Sequence, residues 1–219
     1  MDKADYFDRL YPLQDEALKV LREVETGLYL TGGTAASRGY LHHRFSDDLD
    51  FFANDAPEFL LWTERVIHAL SVQSEWSLQV LLREQRFVRL NVVGKTAQLK
   101  IEMVNDVPAR VGEITIHPVL GRLDSAENIL ANKVSALIDR EEPKDFADIW
   151  GFCCKLGLSL ASALEGAQSK AAGIFPADVA RLLCTAELGA WELVRWIEAP
   201  DAEQYLADLR HLGEELILP

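Results

Sequence analysis

The decisive stretch of this sequence runs from residue 32 to residue 52 and reads Gly32-Gly33-Thr34-Ala35-Ala36-Ser37-Arg38-Gly39-Tyr40-Leu41-His42-His43-Arg44-Phe45-Ser46-Asp47-Asp48-Leu49-Asp50-Phe51-Phe52. It begins with a Gly-Gly-Thr turn that follows a short apolar run. It ends with two aspartates, Asp48 and Asp50, that stand between apolar residues. The two features are close enough in the chain to belong to one site.

The Gly-Gly-Thr turn has the composition of a phosphate-binding turn. Glycines allow positive φ angles and let the backbone approach a ligand closely. A helix predicted to begin at Thr34 would offer unpaired N–H groups and a partial positive charge to phosphate oxygens, and the Thr34 hydroxyl would add a donor. The same residues also form an ordinary strand-to-helix turn with Thr34 as the N-cap. The motif alone leaves both interpretations open.

Asp48 and Asp50 indicate a site for a divalent cation. Residues i and i+2 of a strand point to the same face, so the two carboxylates would converge while Leu49 points into the core. Such a pair repels unless a cation neutralises it, and hard oxygen ligands suit Mg²⁺ or Mn²⁺. The predicted strand 97–104 supplies a third candidate ligand, Glu102, in an otherwise apolar stretch. The alternative is that these carboxylates lie on solvated outer faces of strands.

The pattern along the chain predicts an α+β fold, with a small mixed β-sheet and flanking helices followed by an α-helical C-terminal domain. Apolar runs, alternating in parts, predict strands, and a 3.6-residue period predicts helices. The predicted strands are 28–30, 49–52, 76–82, 87–93, 97–104 and 114–116. The predicted helices are 12–25, 34–43 and 57–71, with helical structure from residue 125 onward. We therefore predict two domains, 1–122 and 123–219.

Composition limits the classes of protein to which this chain can belong. No apolar stretch reaches the roughly 20 residues that span a bilayer, and the first five residues lack the pattern of a signal peptide. The 3 cysteines have no C-x-x-C spacing, which argues against a disulfide framework or a zinc site. These observations predict a cytoplasmic protein without a membrane partner.

The charge of the chain bears on its partners. A net charge of −13 argues against broad, nonspecific binding of nucleic acid, because such binding depends on neutralising phosphates. The charge is uneven, however, and residues 83–122 are net basic. If RNA binds, we expect it to contact the basic side chains Arg83, Arg86, Arg89 and Lys95. The alternative is an ordinary solvated surface.

Charged residues also recur on the predicted C-terminal helices. Lys133 lies beside the apolar stripe of the helix 128–140, and Arg140 lies two turns further along roughly the same side. On the next helix, Asp145 and Asp148 are i, i+3 neighbours. A lysine near a carboxylate site would hold a triphosphate as a point charge. The alternative is a pair of surface helices with ordinary salt bridges.

Taken together, these residues resemble the motifs of a known family. The stretch 32–52 resembles the first motif of the AbiEii/AbiGii toxin family, a group within the DNA polymerase β-like nucleotidyltransferase superfamily. That motif reads roughly Gly-Gly-Thr-Ala-Leu, then Tyr-Leu-x-His-Arg, then Ser-x-Asp-Leu-Asp-Phe-Phe, and Ala36 stands where leucine is common. The segment 127–150 resembles the later motif, Lys-x-x-Ala-Leu, an arginine, and Asp-x-x-Asp-Ile/Leu-Trp/Tyr. The match runs in order over about residues 20–150.

The resemblance implies a fold in which the helical domain completes an active-site cleft. It implies a metal-dependent nucleotidyltransferase that transfers NMP from an NTP to an acceptor, with tRNA expected. The protein would be the toxin of a toxin–antitoxin or phage-defence pair, with a cognate antitoxin as a further partner. The implied catalytic residues are Asp48, Asp50, Lys133 and Asp148, with Asp145 as a neighbour of the last. The implied ligands of Mg²⁺ or Mn²⁺ are Asp48, Asp50 and Glu102. The residues implied to bind the nucleotide are Gly32, Gly33, Thr34, Arg44, Ser46 and Lys133.

Two other functions remain open from the sequence. A catalytically silent member of the family would act as a binding or regulatory protein. A third kind of protein would transfer the nucleotide to a protein or a small molecule, and the acidic surface suits a cationic acceptor. The intact Asp48, Asp50, Lys133 and Asp148 favour an enzyme.

Overall fold

The computed structural model describes residues 2–217. By its packing, the chain divides into two compact units. The first consists of the residues up to Ala35 together with Ser46–Pro108 and Ile114–Asp124. The second consists of Ala36–Phe45, Ala109–Glu113 and the residues from Ser125 onward.

A seven-stranded mixed sheet forms the centre of the first unit. Its strands are β1 (Tyr29–Thr31), β2 (Leu49–Asn54), β3 (Ser77–Arg83), β4 (Phe87–Val93), β5 (Gln98–Asp106), β6 (Thr115–His117) and β7 (Gly121–Leu123). Their order across the sheet is β3-β4-β5-β2-β1-β7-β6. The pairs β2–β5 and β1–β7 are parallel, and the other neighbouring pairs are antiparallel.

Alternation along β2 and β5 gives the sheet two chemically different faces. The buried side chains on one face are Leu49, Phe51 and Ala53 of β2 and Leu99, Ile101 and Met103 of β5. Asp50 is paired with Glu102 in the parallel register of the two strands. Because successive side chains point to opposite faces, the two carboxylates lie side by side on the polar face.

The helices of the first unit are α1 (Lys3–Asp5), α2 (Tyr11–Arg22), α3 (Gly32–Thr34) and α4 (Phe59–Ser71). Of these, α2 and α4 face the apolar side of the sheet. A π-helical segment, Tyr6–Leu10, joins α1 to α2, and another, Ala35–Leu41, follows α3. Pro12 stands in the first turn of α2, directly after the π-helical segment. The apolar side of α2 buries Leu13, Ala17 and Leu18.

The second unit is helical. It contains α5 (Ala126–Arg140), α6 (Pro143–Trp150), the π-helical segment Gly151–Lys155, α7 (Leu160–Gln168), α8 (Pro176–Cys184), α9 (Gly189–Glu192) and α10 (Ala202–Glu215). The Ser125 hydroxyl accepts a hydrogen bond from the Asn128 N–H and so caps α5. The helix ends at Glu141, whose φ of 49° breaks the helical path. Within residues 2–217, no helix combines the length and the apolar character needed to cross a membrane.

The predicted fold class is confirmed, and the differences from the prediction are local. β7 was not predicted, and the helix expected at 34–43 is a short α-helical turn followed by a π-helical segment. The predicted domain boundary near residue 122 lies close to the division between the two units at Asp124 and Ser125. The segments 36–45 and 109–113, however, pack with the helical unit. The domains 1–122 and 123–219 therefore stay a prediction about folding units.

Candidate active site

The three predicted carboxylate ligands lie at one end of β2 and on β5. Asp50 and Glu102 are register partners, and Asp48 directly precedes β2. The Lys100 Nζ lies 3.0 Å from Asp48 Oδ2 and 3.3 Å from Glu102 Oε2. The Arg89 Nε donates to Glu102 Oε1 at 2.6 Å. The carboxylates thus belong to a charged cluster with two cations of their own chain.

These contacts favour the charged forms of Glu102 and Lys100. Partial burial alone would raise the pKa of Glu102, but the hydrogen bond from Arg89 and the charge of Lys100 lower it below its usual value. Burial alone would lower the pKa of Lys100, but Asp48 and Glu102 raise it above its usual value. The Lys100 ammonium group therefore bridges Asp48 and the ionised Glu102.

The chemistry of the donor set suits a hard divalent cation, because its ligating atoms would all be carboxylate oxygens. The arrangement observed is the one in which Lys100 lies between Asp48 and Glu102. In the part of the chain that the structure describes, no three His, Cys, Asp or Glu side chains are grouped so as to hold a metal ion. Carboxylate oxygens are suitable ligands for Mg²⁺ or Mn²⁺. In this structure, however, Asp48 and Glu102 bind the Lys100 ammonium group.

Lys100 is a site residue that the sequence prediction missed. Strand alternation places Lys100 and Glu102 on one face, and that signal was available from the sequence. Its pairing with Asp48 depends on the parallel register between β2 and β5. A parallel register between strands that are not consecutive cannot be read from local pattern.

The Gly-Gly-Thr turn holds both aspartates. Gly32 has a φ of +67°, and a Cβ atom at this position would lie 2.4 Å from Asp50 Oδ2. The Thr34 hydroxyl, predicted to donate to phosphate, donates to the backbone carbonyl of Asp48 at 2.5 Å, and Thr34 is fully buried. The turn therefore positions the carboxylates through a glycine that leaves room for Asp50 and a threonine that fixes the backbone at Asp48.

Replacing Gly32 by alanine is expected to displace the Asp50 carboxylate. A positive φ costs a non-glycine residue about 1–2 kcal/mol, and the new Cβ would overlap Asp50 Oδ2. Misplacement of a site group by ~1 Å can cost about 10²-fold in rate. We expect a loss of that order in the nucleotidyl transfer that the sequence resemblance implies, measured by initial rates. Gly189→Ala is the matched control, because a Cβ at Gly189 meets no atom within 4 Å; equal losses in both variants would contradict the prediction.

The segment before β2 is anchored to the N-terminal helices. The Gln14 amide donates to the carbonyls of Ser46 and Asp47, both at 3.1 Å, and Gln14 is fully buried. The Tyr6 hydroxyl donates to the Asp47 carboxylate. Ser46, a predicted nucleotide contact, is itself buried, and its N–H donates to the Tyr11 hydroxyl at 3.4 Å. These bonds fix the approach to Asp48.

A second group of predicted site residues lies inside the helical unit. The Lys133 Nζ lies 2.9 Å from Asp145 Oδ1 and 2.7 Å from Asp148 Oδ2, and its side chain is only 6% exposed. Arg44 binds Asp148 with two parallel hydrogen bonds of 2.7 Å, and the His43 Nε2 lies 3.0 Å from the same carboxylate. The predicted nucleotide contact Arg44 is thus committed to Asp148 and almost completely buried.

Arg140, whose side chain is exposed, also binds this network. Its Nε and Nη2 bind the two oxygens of Asp145 at 2.8 and 2.9 Å. Burial would raise the pKa of Asp148, but the charges of Arg44 and Lys133 hold it well below its usual value. The same balance, with Lys133 and Arg140 as the cations, lowers the pKa of Asp145. Both aspartates are therefore anions that hold cations in fixed positions.

The structure accordingly brings the predicted site residues together in two groups, one in each unit. The first unit holds Asp48, Asp50, Glu102, Gly32, Gly33, Thr34 and Ser46, and the second holds Arg44, Lys133, Asp145 and Asp148. His43 had no predicted role, although it stands in the first motif. Each of the four basic residues expected to contact RNA has an acidic partner. The pairs are Arg83–Glu64, Arg86–Asp55, Arg89–Glu102 and Lys95–Glu75.

Comparison with known proteins identifies the family. The family model described as nucleotidyl transferase AbiEii toxin, type IV TA system, matches residues 17–163, which is more than half of the chain. The chain belongs to this family. As an AbiEii family member it is a nucleotidyltransferase of the toxin class, and the matched region includes both groups of site residues. No curated protein matches the chain.

Solved structures share the fold of this AbiEii family member. JHP933 from Helicobacter pylori is 21% identical, with a TM-score of 0.61 over 94% of this chain and 91% of that one. MenT4, the nucleotidyltransferase toxin Rv2826c from Mycobacterium tuberculosis H37Rv, is 20% identical, with a TM-score of 0.64 over 96% of this chain and 83% of that one. At these identities the likeness concerns the fold, and it extends over nearly the whole chain.

Proposed function

We propose that this AbiEii family member transfers a nucleoside monophosphate from an NTP to an acceptor hydroxyl, with tRNA as the first candidate acceptor. The observation that carries the proposal is the pairing of Asp50 with Glu102, with Asp48 beside them and Gly32 leaving room for the Asp50 carboxylate. In the reaction, the acceptor oxygen bonds to the α-phosphorus, the α–β phosphoanhydride bond breaks, pyrophosphate leaves and the hydroxyl proton passes to solvent.

The chain's own residues have separate tasks in this proposal. The backbone at Gly33 and Thr34 binds the nucleotide phosphates, and the contact from Thr34 to the Asp48 carbonyl holds the aspartate in place. Asp48, Asp50 and Glu102 would hold Mg²⁺ or Mn²⁺, which when bound stabilises the charge that develops at phosphorus and on the leaving group.

Lys133 binds the triphosphate in this proposal, and its neighbours determine where its charge lies. Asp145 and Asp148 hold the Lys133 Nζ between them. Asp148 is fully buried and bound by Arg44 and His43, so we assign it the role of positioning Lys133 rather than of touching the substrate. Arg44 supports Asp148 from the other side.

A second acceptor class is favoured by one observation. The four basic residues expected to contact RNA all have acidic partners, and the chain carries a net charge of −13. An acidic surface attracts a cationic protein or a small amine rather than RNA. An antitoxin partner belongs to the same proposal and is supported by the family description, which names a type IV TA system. Cytoplasmic location and a role in phage defence are further parts of the proposal.

The acceptor is tested by incubating the protein with each labelled NTP, Mg²⁺, and either total tRNA, a protein extract or a polyamine. We expect one NTP to label tRNA, with no label when Asp48→Ala replaces the wild type. Label in the protein or polyamine fraction would select the second acceptor class. The absence of label in every fraction, with no difference from Asp48→Ala, would favour a silent binding protein.

A further inference from the structure

The first unit contains a pocket on the face of the sheet opposite the carboxylates. Its volume is about 270 Å³. Apolar side chains of α2, α4 and the sheet form its walls, among them Leu18, Leu21, Leu28, Phe51, Val66 and Met103. Phe51 and Met103 are the chain neighbours of Asp50 and Glu102, so strand alternation separates the pocket from the proposed nucleotide site.

The volume of the pocket sets the size of a ligand. An apolar cavity of about 150 Å³ is sufficient to bind benzene, and small-molecule sites begin at about 300 Å³. A pocket of about 270 Å³ therefore suits a ligand larger than a single ring, such as a medium-length aliphatic chain. The apolar walls require that most of this ligand be hydrocarbon.

The charged residues that line the pocket determine which ligand charge it favours. Arg22 and Arg122 line it, and none of its lining residues is acidic. This bias is opposite to that of the chain, which has 35 acidic and 22 basic residues. Arg22 also donates to the Pro118 carbonyl, which places its guanidinium beside the loop that borders the pocket. Arg122 is exposed on β7.

We propose that this pocket binds a small amphiphilic carboxylate, with its hydrocarbon part against Phe51 and Met103 and its carboxylate at Arg22 and Arg122. Guanidinium groups bind carboxylates with charge-assisted, often bidentate hydrogen bonds. This site is separate from the proposed reaction, and the inference does not depend on that reaction.

Calorimetric titration of the full chain with octanoate, butyrate, octanol and octylammonium tests the assignment. We expect octanoate to bind about tenfold more tightly than octanol and octylammonium, because only octanoate satisfies both the walls and the arginines. Each methylene buried in the pocket strengthens binding by about fourfold, so butyrate is expected to bind much more weakly than octanoate. Equal binding of octylammonium and octanoate would overturn the assignment.

Variants locate the binding. Arg122→Gln is expected to weaken octanoate binding about tenfold and to leave octanol binding unchanged. Arg181 is an exposed arginine on α8, and Arg181→Gln is expected to change the affinity for neither ligand. Val24 lines the pocket, so Val24→Trp is expected to fill it and to abolish the binding of octanoate and of octanol. Ile116→Asp, at a side chain that is 74% exposed, brings a negative charge to the pocket and weakens octanoate even if Val24→Trp fails to fold. Unchanged octanoate affinity in Arg122→Gln or Ile116→Asp would refute the site.

Discussion

Asp50→Asn is expected to lower nucleotidyl transfer by at least about 10²–10³-fold while the protein remains folded. Asparagine keeps the shape of the side chain, so it fits beside Gly32, but it removes the charge that faces Glu102 across the parallel register. Removing one of several clustered carboxylates also reduces their mutual repulsion, so we expect no loss of stability. Initial rates of label incorporation and a thermal unfolding curve measure the two effects separately.

Asp106→Asn is the matched control for this prediction. Asp106 lies on β5, pairs with Asn54 of β2 and shares the polar face with Glu102. It is four residues further along the strand than Glu102, away from Gly32 and Thr34. We expect its replacement to change the rate by less than about twofold, the usual result for a polar residue outside the site. Retained activity in Asp50→Asn, or an equal loss in Asp106→Asn, would contradict the assignment of the carboxylate cluster.

Asp148→Ala is expected to destabilise the protein by about 3–5 kcal/mol, because removal of one partner leaves buried charges without compensation. Asp148 is fully buried and binds both Arg44 and Lys133. Its loss leaves Arg44, which is itself buried, without its bidentate partner. The free energy of unfolding, measured by urea denaturation and circular dichroism, is the appropriate quantity.

Glu142→Ala serves as the control for Asp148→Ala. Glu142 lies 2.7 Å from Lys144, but both side chains are more than 40% exposed, and such pairs contribute at most about 1 kcal/mol. A loss in Asp148→Ala no larger than that in Glu142→Ala would show that the buried network is not stabilising.

The pH dependence of the same two proteins gives an independent readout. The folded pKa of Asp148 lies well below its usual value, so its contribution is complete above the unfolded pKa of about 3.9 and is lost as the pH falls through the folded pKa. The wild type should therefore lose stability more steeply than Asp148→Ala below about pH 4. Parallel curves would contradict the ionised, paired state of Asp148.

The sequence predicted the longer strands well because they carry their own signal. β4 and β5 alternate strictly between buried and less buried residues, and such alternation is visible in the sequence. β7 has only three residues and joins the sheet through a single parallel pairing, Leu30 with Leu123. Its hairpin with β6 is local, but three residues are too few to show an alternating pattern, and its partner in β1 lies more than ninety positions away.

The sequence motifs predicted which residues belong to the candidate site better than they predicted which of those residues bind one another. The motifs pointed to Asp48, Asp50, Lys133 and Asp148, but local spacing could not show that Arg44 binds Asp148, which lies 104 positions further along. The sequence predicts that Arg44 meets a nucleotide, and the structure shows that it binds the Asp148 carboxylate. Likewise, the basic residues Arg83 and Arg86 were expected to contact RNA, and local pattern did not show that each has an acidic partner, Glu64 or Asp55.

Segment 36–45 packs with the helical unit, and this limits how the gene can be divided during evolution. The first motif supplies Gly32 and Asp50 to one unit and His43 and Arg44 to the other. A gene divided between the codons for Asp124 and Ser125 would place His43 and Arg44 on one fragment and Asp148 on the other. The bonds from His43 and Arg44 to Asp148 would then be lost. Neither unit can therefore be exchanged or recombined as a module at a single junction, and the two are expected to be inherited as one piece.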